Sequence, residues 1–185
     1  MLKTSHHLCE QRLWSSAVRL FNYPYFVGES LDNFKGLTTK IYERIIRPTL
    51  VVAKAAGDVG SVQQQQNVIE ACFRIYPASE GGASSTPPAS PIIIRFVNSS
   101  VKQLVMKHRK AIPAPSNNER EAGYRRFVLV EDLTPEAYGL LRALQQDART
   151  EKVWSTNGHI FYTRPGVPGY KKVRNIFDDI ETILA

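Results

Sequence analysis

Cysteine is scarce. Cys9 and Cys72 are the only two among 185 residues, too few for a disulfide framework, so two unpaired thiols are expected. No apolar run approaches the roughly 20 residues that span a bilayer, and MLKTSHHLCEQRLW lacks the apolar middle of a signal peptide. The expectation is an intracellular protein, in cytoplasm or nucleus, with no membrane span. Histidine is also sparse: His6 and His7 adjoin near the start, while His108 and His159 stand alone, and neither HExxH nor a Cys/His quartet occurs. Gly-rich phosphate loops, a nucleophile elbow and a recognisable Cys/His pair are missing as well. No metal, other cofactor or enzymatic activity is expected. The acidic group Asp178, Asp179 and Glu181 reads as a solvated helix face.

What is abundant is positive charge, and it is uneven. Of the formal net charge of +7, residues 91–126 supply +6, with eight Lys/Arg against two Asp/Glu. A concentrated basic segment suits a polyanion, because each neutralised phosphate releases condensed counterions.

The order of elements follows from periodicity and breakers. AVRLFNYP (17–24) alternates as a strand, and ESLDNFKGLTTKIYERIIR places apolar residues at helical spacing up to a stop at Pro48. Residues 48–67 read as an irregular connection, VIEACFRIYP (68–77) as a strand, and 77–90 as a Gly/Ser/Pro linker. PIIIRFV gives a third strand, and Asn98 caps a helix through VKQLVMKHRKA with Val101, Leu104 and Val105 inward and Lys102, Lys107, His108, Arg109 and Lys110 outward. After a flexible IPAPSNNEREAG comes a fourth strand in YRRFVLVED. Strand, helix, strand, strand, helix, strand is the order of the split βαβ sandwich. The expected fold class is therefore α+β: an RNA-recognition-like antiparallel sheet with two helices on one face, spanning 1–131, then a small α/β subdomain at 132–185. In that subdomain Thr134 caps a helix starting at Pro135, Asn157-Gly158 turns a hairpin, YKKVR adds a strand, and Asn175 caps a last helix.

Alternation along the strands then sorts residues by face. Turning Val18 and Leu20 inward leaves Arg19 and Phe21 outward. Turning Ala71, Phe73 and Ile75 inward leaves Cys72, Arg74 and Tyr76 outward. In the third strand Ile92, Ile94 and Phe96 face the helices while Ile93, Arg95 and Val97 lie opposite, and in the fourth Arg126 points outward. Each strand thus gives the open face one arginine, able to meet phosphates, with Phe21 and Tyr76 available for base stacking. The helix after the third strand adds Lys107, Arg109 and Lys110. A second candidate contact is the loop from Arg164 to Tyr170, continued by Lys171 and Lys172. Trp14 and Trp154 read as packing anchors.

AVRLFNYP, PIIIRFVNSSVKQLVMKHRK and above all FVLVEDLTPEAYGLLRALQQDARTEKVWSTNGHIFYTRPGVPGYKKVRNIFDDI resemble the baculovirus few-polyhedra (FP) protein family. They are also similar to the RNA-binding proteins encoded by the first reading frame of LINE-type retrotransposons. The likeness covers most of 12–185, and its most specific motif is the LTPE helix start followed by VWSTNGHIFYTR. It implies a noncanonical RNA-recognition module and a C-terminal domain that together grip single-stranded nucleic acid, with Arg95, Arg125, Arg126 and Arg164 along the path. The retrotransposon relatives carry a long coiled coil. Residues ahead of the first strand here show no heptads, so trimerisation is not part of the expectation. Arg19 stands where ribonucleoprotein signatures favour an aromatic, and PIIIRF lacks their Gly-aromatic pattern, which argues for backbone-led rather than sequence-specific binding. The expected partner is single-stranded RNA or DNA. The alternative is a viral, virion-associated structural or assembly protein, in which the same fold forms a homo-oligomer or binds other proteins.

Overall fold

The computed structural model describes residues 16–24, 34–58, 68–75, 90–121, 123 and 125–185. Two compact units divide them, Ser16–Val130 and Glu131–Ala185. The architecture is α+β.

In the first unit, β1 (Ala17–Phe21), β2 (Ile69–Arg74), β3 (Ile92–Phe96) and β4 (Val128–Glu131) form an antiparallel sheet in the order β2-β3-β1-β4. Alternation holds in β1 and β3: Val18 pairs with Ile94 and Leu20 with Ile92, and all four are completely buried. Each such aliphatic side chain contributes roughly 1.5–3 kcal/mol through burial. Helices cover this one face. A helical run starts with α1 (Phe34–Ile41), passes through a π-helical turn at Tyr42–Ile46 and continues as α2 (Arg47–Ala55), delivering Leu37, Ile41, Ile45 and Ile46 to the core. Asn98 accepts a hydrogen bond from Val101 N at 2.9 Å to start α3 (Ser99–Lys107), which adds Val101 and Val105.

Two helical features depart from the sequence expectation. Pro48 does not end the first helix, and the irregular connection expected from 48 begins as helix. In the π turn the N–H of Arg47 reaches back to Tyr42 O, shifting the hydrogen-bond register just ahead of Pro48. The proline then sits in the first turn of α2, directly after that register shift. The helix expected through Ala111 ends at Lys107 and gives way to a 3-10 turn (Arg109–Ala111), and the expected flexible stretch after it contains α4 (Asn117–Glu121). Ser116 N donates to Glu119 Oε2 at 2.6 Å and Glu119 N to Ser116 Oγ at 3.3 Å, a capping box that explains the helix start.

In the second unit Thr134 Oγ1 accepts from Ala137 N to cap α5 (Pro135–Gln146), with Pro135 in its first turn. β5 (Lys152–Thr156) and β6 (His159–Thr163) form a hairpin, and β7 (Lys171–Lys172) pairs with β6. At the hairpin turn Asn157 and Gly158 both adopt positive φ, 53° and 75°, the backbone a two-residue turn of this hand requires. The Glu131 carboxylate accepts from both turn N–H groups, at 2.7 and 3.2 Å. Leu140, Leu144, Ile160, Tyr162 and Val173 form this unit's core with Leu184 of α6 (Ile180–Leu184). Asn175 does not cap α6. Asp179 does, accepting from Thr182 N at 2.7 Å, while Asn175 closes a local turn with Phe177 N and donates to Asp178. The acidic group therefore has assigned work: Asp179 caps, and Glu181 accepts from Arg149, which also grips Asp147.

Candidate nucleic-acid interface

Which arginines reach the face of the four-stranded sheet opposite the helices depends on register. In β3, Arg95 lies opposite Ala17 of β1 and Ala71 of β2, so two alanines flank it. The next row is Phe73, Ile93 and Arg19. Phe21 follows on the same face of β1. Arg19, Phe21, Phe73 and Arg95 are all half-buried, Ile93 between them is buried, and Val128 and Val130 on β4 are exposed. The small side chains beside Arg95 leave space for its stem, yet its Nε is buried without a hydrogen-bond partner. That donor carries an unmet cost in this state.

Arg74 belongs elsewhere. It is 5% exposed and opposes Ile92 on the helix-covered face, which corrects its outward placement. Its Nη1 donates to Tyr23 O at 2.9 Å and Ser90 O at 2.8 Å, and its Nη2 to Pro24 O at 2.9 Å. The guanidinium fastens the chain leaving β1 to the chain entering β3. Face assignment failed in β2 because its pairing shifts between Ile69 and Ala71: Ile69 opposes Phe96 but Ala71 opposes Arg95, leaving Glu70 as an extra residue. One such bulge reverses inside and outside for everything beyond it. Cys72 consequently enters the core at 3% exposure, Ile75 is exposed, and Phe73 joins the open face. Tyr76 lies outside the described residues.

The basic group after β3 separates from that face, because α3 packs on the opposite, helical layer. Lys107, Arg109 and Lys110 are exposed, but Lys107 Nζ donates to Asp58 Oδ1 at 2.9 Å, and Arg109 Nη1 donates to Met106 O at 3.2 Å. His108 Nε2 lies 2.8 Å from Asp58 Oδ2. Hydrogen bonds from Lys107 and then His108 hold the Asp58 carboxyl below its ordinary range. Two outward placements are corrected here: Lys102 is 1% exposed, and the His108 side chain is only 12% exposed. Lys107 also sits in the last turn of its helix, where a cation offsets the exposed carbonyl dipoles.

Arg125 and Arg126 are exposed, but both precede β4 rather than belonging to it. Asn22, at φ 64° just beyond β1, donates Nδ2 to Arg126 O at 2.9 Å and anchors that approach. Farther along the same unit, Arg44 donates two bonds to Glu119, at 2.8 and 2.7 Å, with its guanidinium 5.8 Å from the centre of the Phe127 ring.

Residues of the second unit sort differently from the expectation. Arg164 is half-buried and committed: it donates to Leu184 O, its guanidinium lies 5.9 Å from the Tyr162 ring centre, and its Nε is buried without a partner. Tyr162 is 2% exposed and donates its hydroxyl to Ile183 O at 2.7 Å. Lys171 and Lys172 are exposed. Trp154 is no core anchor. It stands on the sheet face opposite the core, 36% exposed, with Phe161 paired across from it and Tyr170, 66% exposed, against both. The alternation Val153, Ser155 inward and Lys152, Trp154, Thr156 outward carried this information, but a tryptophan's bulk favours a core assignment.

Among the described residues no helix is long and apolar enough to cross a membrane, and no group of three or more His, Cys, Asp or Glu side chains is placed to hold a metal ion. No protein-family model matches the chain, and no curated protein matches it significantly.

Proposed function

We propose that this chain is a non-enzymatic binder of single-stranded RNA or DNA, led by phosphate contacts and helped by stacking. The observation that carries the reading is the patch on the sheet face opposite the helices: Arg19, Phe21 and Arg95 on the two middle strands, with Phe73 beside them. RNA-recognition modules place their base-stacking residues on such a four-stranded sheet. Strand order β2-β3-β1-β4 with helices on one face supports the RNA-recognition-like assignment, as does the motif resemblance to the few-polyhedra and retrotransposon proteins. Arginine replacing aromatics on the middle strands favours backbone over base recognition, since guanidinium forks match phosphate oxygens. Exposed Arg125 and Arg126 extend the positive field beside β4.

Fluorescence anisotropy of a labelled 20-nucleotide single strand, titrated at several salt concentrations, tests the proposal. Affinity is expected to fall steeply with salt, and R19A/R95A to flatten the log–log slope by about 1.4, or about 0.7 for each lost phosphate contact. F21A/F73A weakens binding at every salt concentration with little change in slope. Absence of binding at low salt, or binding indifferent to salt, overturns the reading. A defined oligomer that purifies free of nucleic acid and ignores the oligonucleotide supports an assembly role instead.

A further inference from the structure

The hairpin turn of the second unit carries the side chain and the backbone amide needed for a reaction of the chain with itself. In an Asn-Gly pair the glycine nitrogen, unhindered by a side chain, can attack the asparagine Cγ. The N–Cγ bond forms, the Cγ–Nδ2 bond breaks, and ammonia leaves with the amide proton. Water then opens the resulting succinimide to aspartate or to isoaspartate, whose main chain is longer by one methylene. Asn157-Gly158 is the one Asn-Gly pair in the sequence.

The folded turn opposes that reaction at each step. Glu131 receives both turn N–H groups, Asn157 N at 2.7 Å on Oε1 and Gly158 N at 3.2 Å on Oε2. The nucleophile is the deprotonated Gly158 nitrogen, and generating it beside a carboxylate sets two negative charges within hydrogen-bond distance. Attack also builds negative charge on Asn157 Oδ1, an atom buried with no hydrogen-bond partner among the described residues. An oxyanion there lacks the donors that stabilise such charge. The next residue, His159, brings no compensating cation, since burial and then Lys172 lower its pKa against the opposing pull of Glu131. Gly158 is itself buried, which restricts the water that must open the succinimide.

We infer that Asn157 is a latent self-modification site, converted to aspartate or isoaspartate by its own backbone, and that Glu131 is the residue that holds the reaction in check. The same carboxylate decides what conversion does to the fold. Aspartate at this position adds a second carboxylate to the residue whose N–H Glu131 holds, and isoaspartate adds a backbone atom to a two-residue turn that sets the β5–β6 register. Conversion therefore loosens the clamp that suppressed it. Because ammonia is lost, the step runs one way, and a chain that has reacted at this turn carries a permanent mark. The inference concerns the chain's own chemistry and is independent of the nucleic-acid reading.

Full-length protein is incubated at mildly alkaline pH, folded or in urea, and the peptide containing Asn157 is followed by mass spectrometry for loss of the amide. Folded wild type is expected to convert at least about tenfold more slowly than the same chain in urea, and folded E131Q at least about fivefold faster than folded wild type. In urea the two convert alike. T134A, which loosens the same unit through a helix cap and leaves Glu131 in place, separates local protection from general destabilisation: its folded rate is expected to stay close to wild type. N157D supplies one product directly and is expected to lower the urea midpoint, with a smaller loss in the E131Q background. Folded wild type converting as fast as the chain in urea overturns the inference. So does E131Q converting no faster than T134A, or N157D costing the same stability with and without Glu131.

Discussion

The two sheets use arginines and aromatics in opposite ways. The first unit draws Arg74 inside, where three carbonyl oxygens receive it, and leaves Arg19 and Arg95 half-covered on the far face. The second unit assigns Arg149 and Arg164 to holding its C-terminal helix and turns Trp154 and Tyr170 outward. Residue type therefore does not identify a contact surface. Burial does: Arg74, enclosed with its guanidinium on three carbonyls, is structural, and an aromatic outside the core is available to a ligand.

The largest expected effect sharpens this distinction. Arg74→Ala removes the donors from three backbone carbonyls beside a packed core and is expected to destabilise the first unit by about 3 kcal/mol, read as a lower urea midpoint. Arg74→Lys recovers only part, because an ammonium cannot reproduce the fork. Arg126→Ala, at an exposed position before β4, should shift stability by no more than about 0.5 kcal/mol. Equal effects from Arg74 and Arg126 would break the comparison.

Helix caps provide a matched pair of smaller size. Asn98→Ala in the first unit and Thr134→Ala in the second each remove a side-chain acceptor from a helix N-terminus, and each is expected to cost about 1 kcal/mol. Amide exchange in α3 and α5, respectively, measures the loss.

The smallest effect concerns acid. Hydrogen bonds from the Arg149 side chain and backbone lower the Asp147 pKa from 3.8 to about 2. A depressed carboxyl contributes stability that is fully present above its unfolded value and disappears as pH falls through the folded one. Asp147→Asn is therefore expected to flatten the acid limb between pH 3.8 and about 2, with little change in the pH dependence near neutrality. Circular dichroism followed through acid titration of both proteins checks it. Asp147 is solvent-accessible, so screening by salt should shrink the difference.

Much of the fold was legible because its signals are local. Strand alternation in AVRLF and IIIRF, the caps at Asn98 and Thr134, and the Asn157-Gly158 turn each depend on a few consecutive residues. The π turn ahead of Pro48 and the bulge in β2 were not legible, since each depends on how the segment meets its neighbours. Moving β2 by one position exchanged Phe73 for Arg74 on the candidate face, and only the pairing with β3 chooses between them. The separation of Lys107–Lys110 from the arginine patch likewise follows from the layer in which α3 packs, which the basic run itself does not specify.

The sequence by itself determined the α+β class, the concentration of positive charge in 91–126 and most element starts, because composition, periodicity and caps act within a turn or a strand. Only the tertiary structure decided which arginines are structural, which aromatics stand outside a core, and which lysine is buried. Those outcomes depend on register and burial between segments distant in sequence: Arg74 finds Pro24, and Tyr170 finds Trp154, only after the strands have paired.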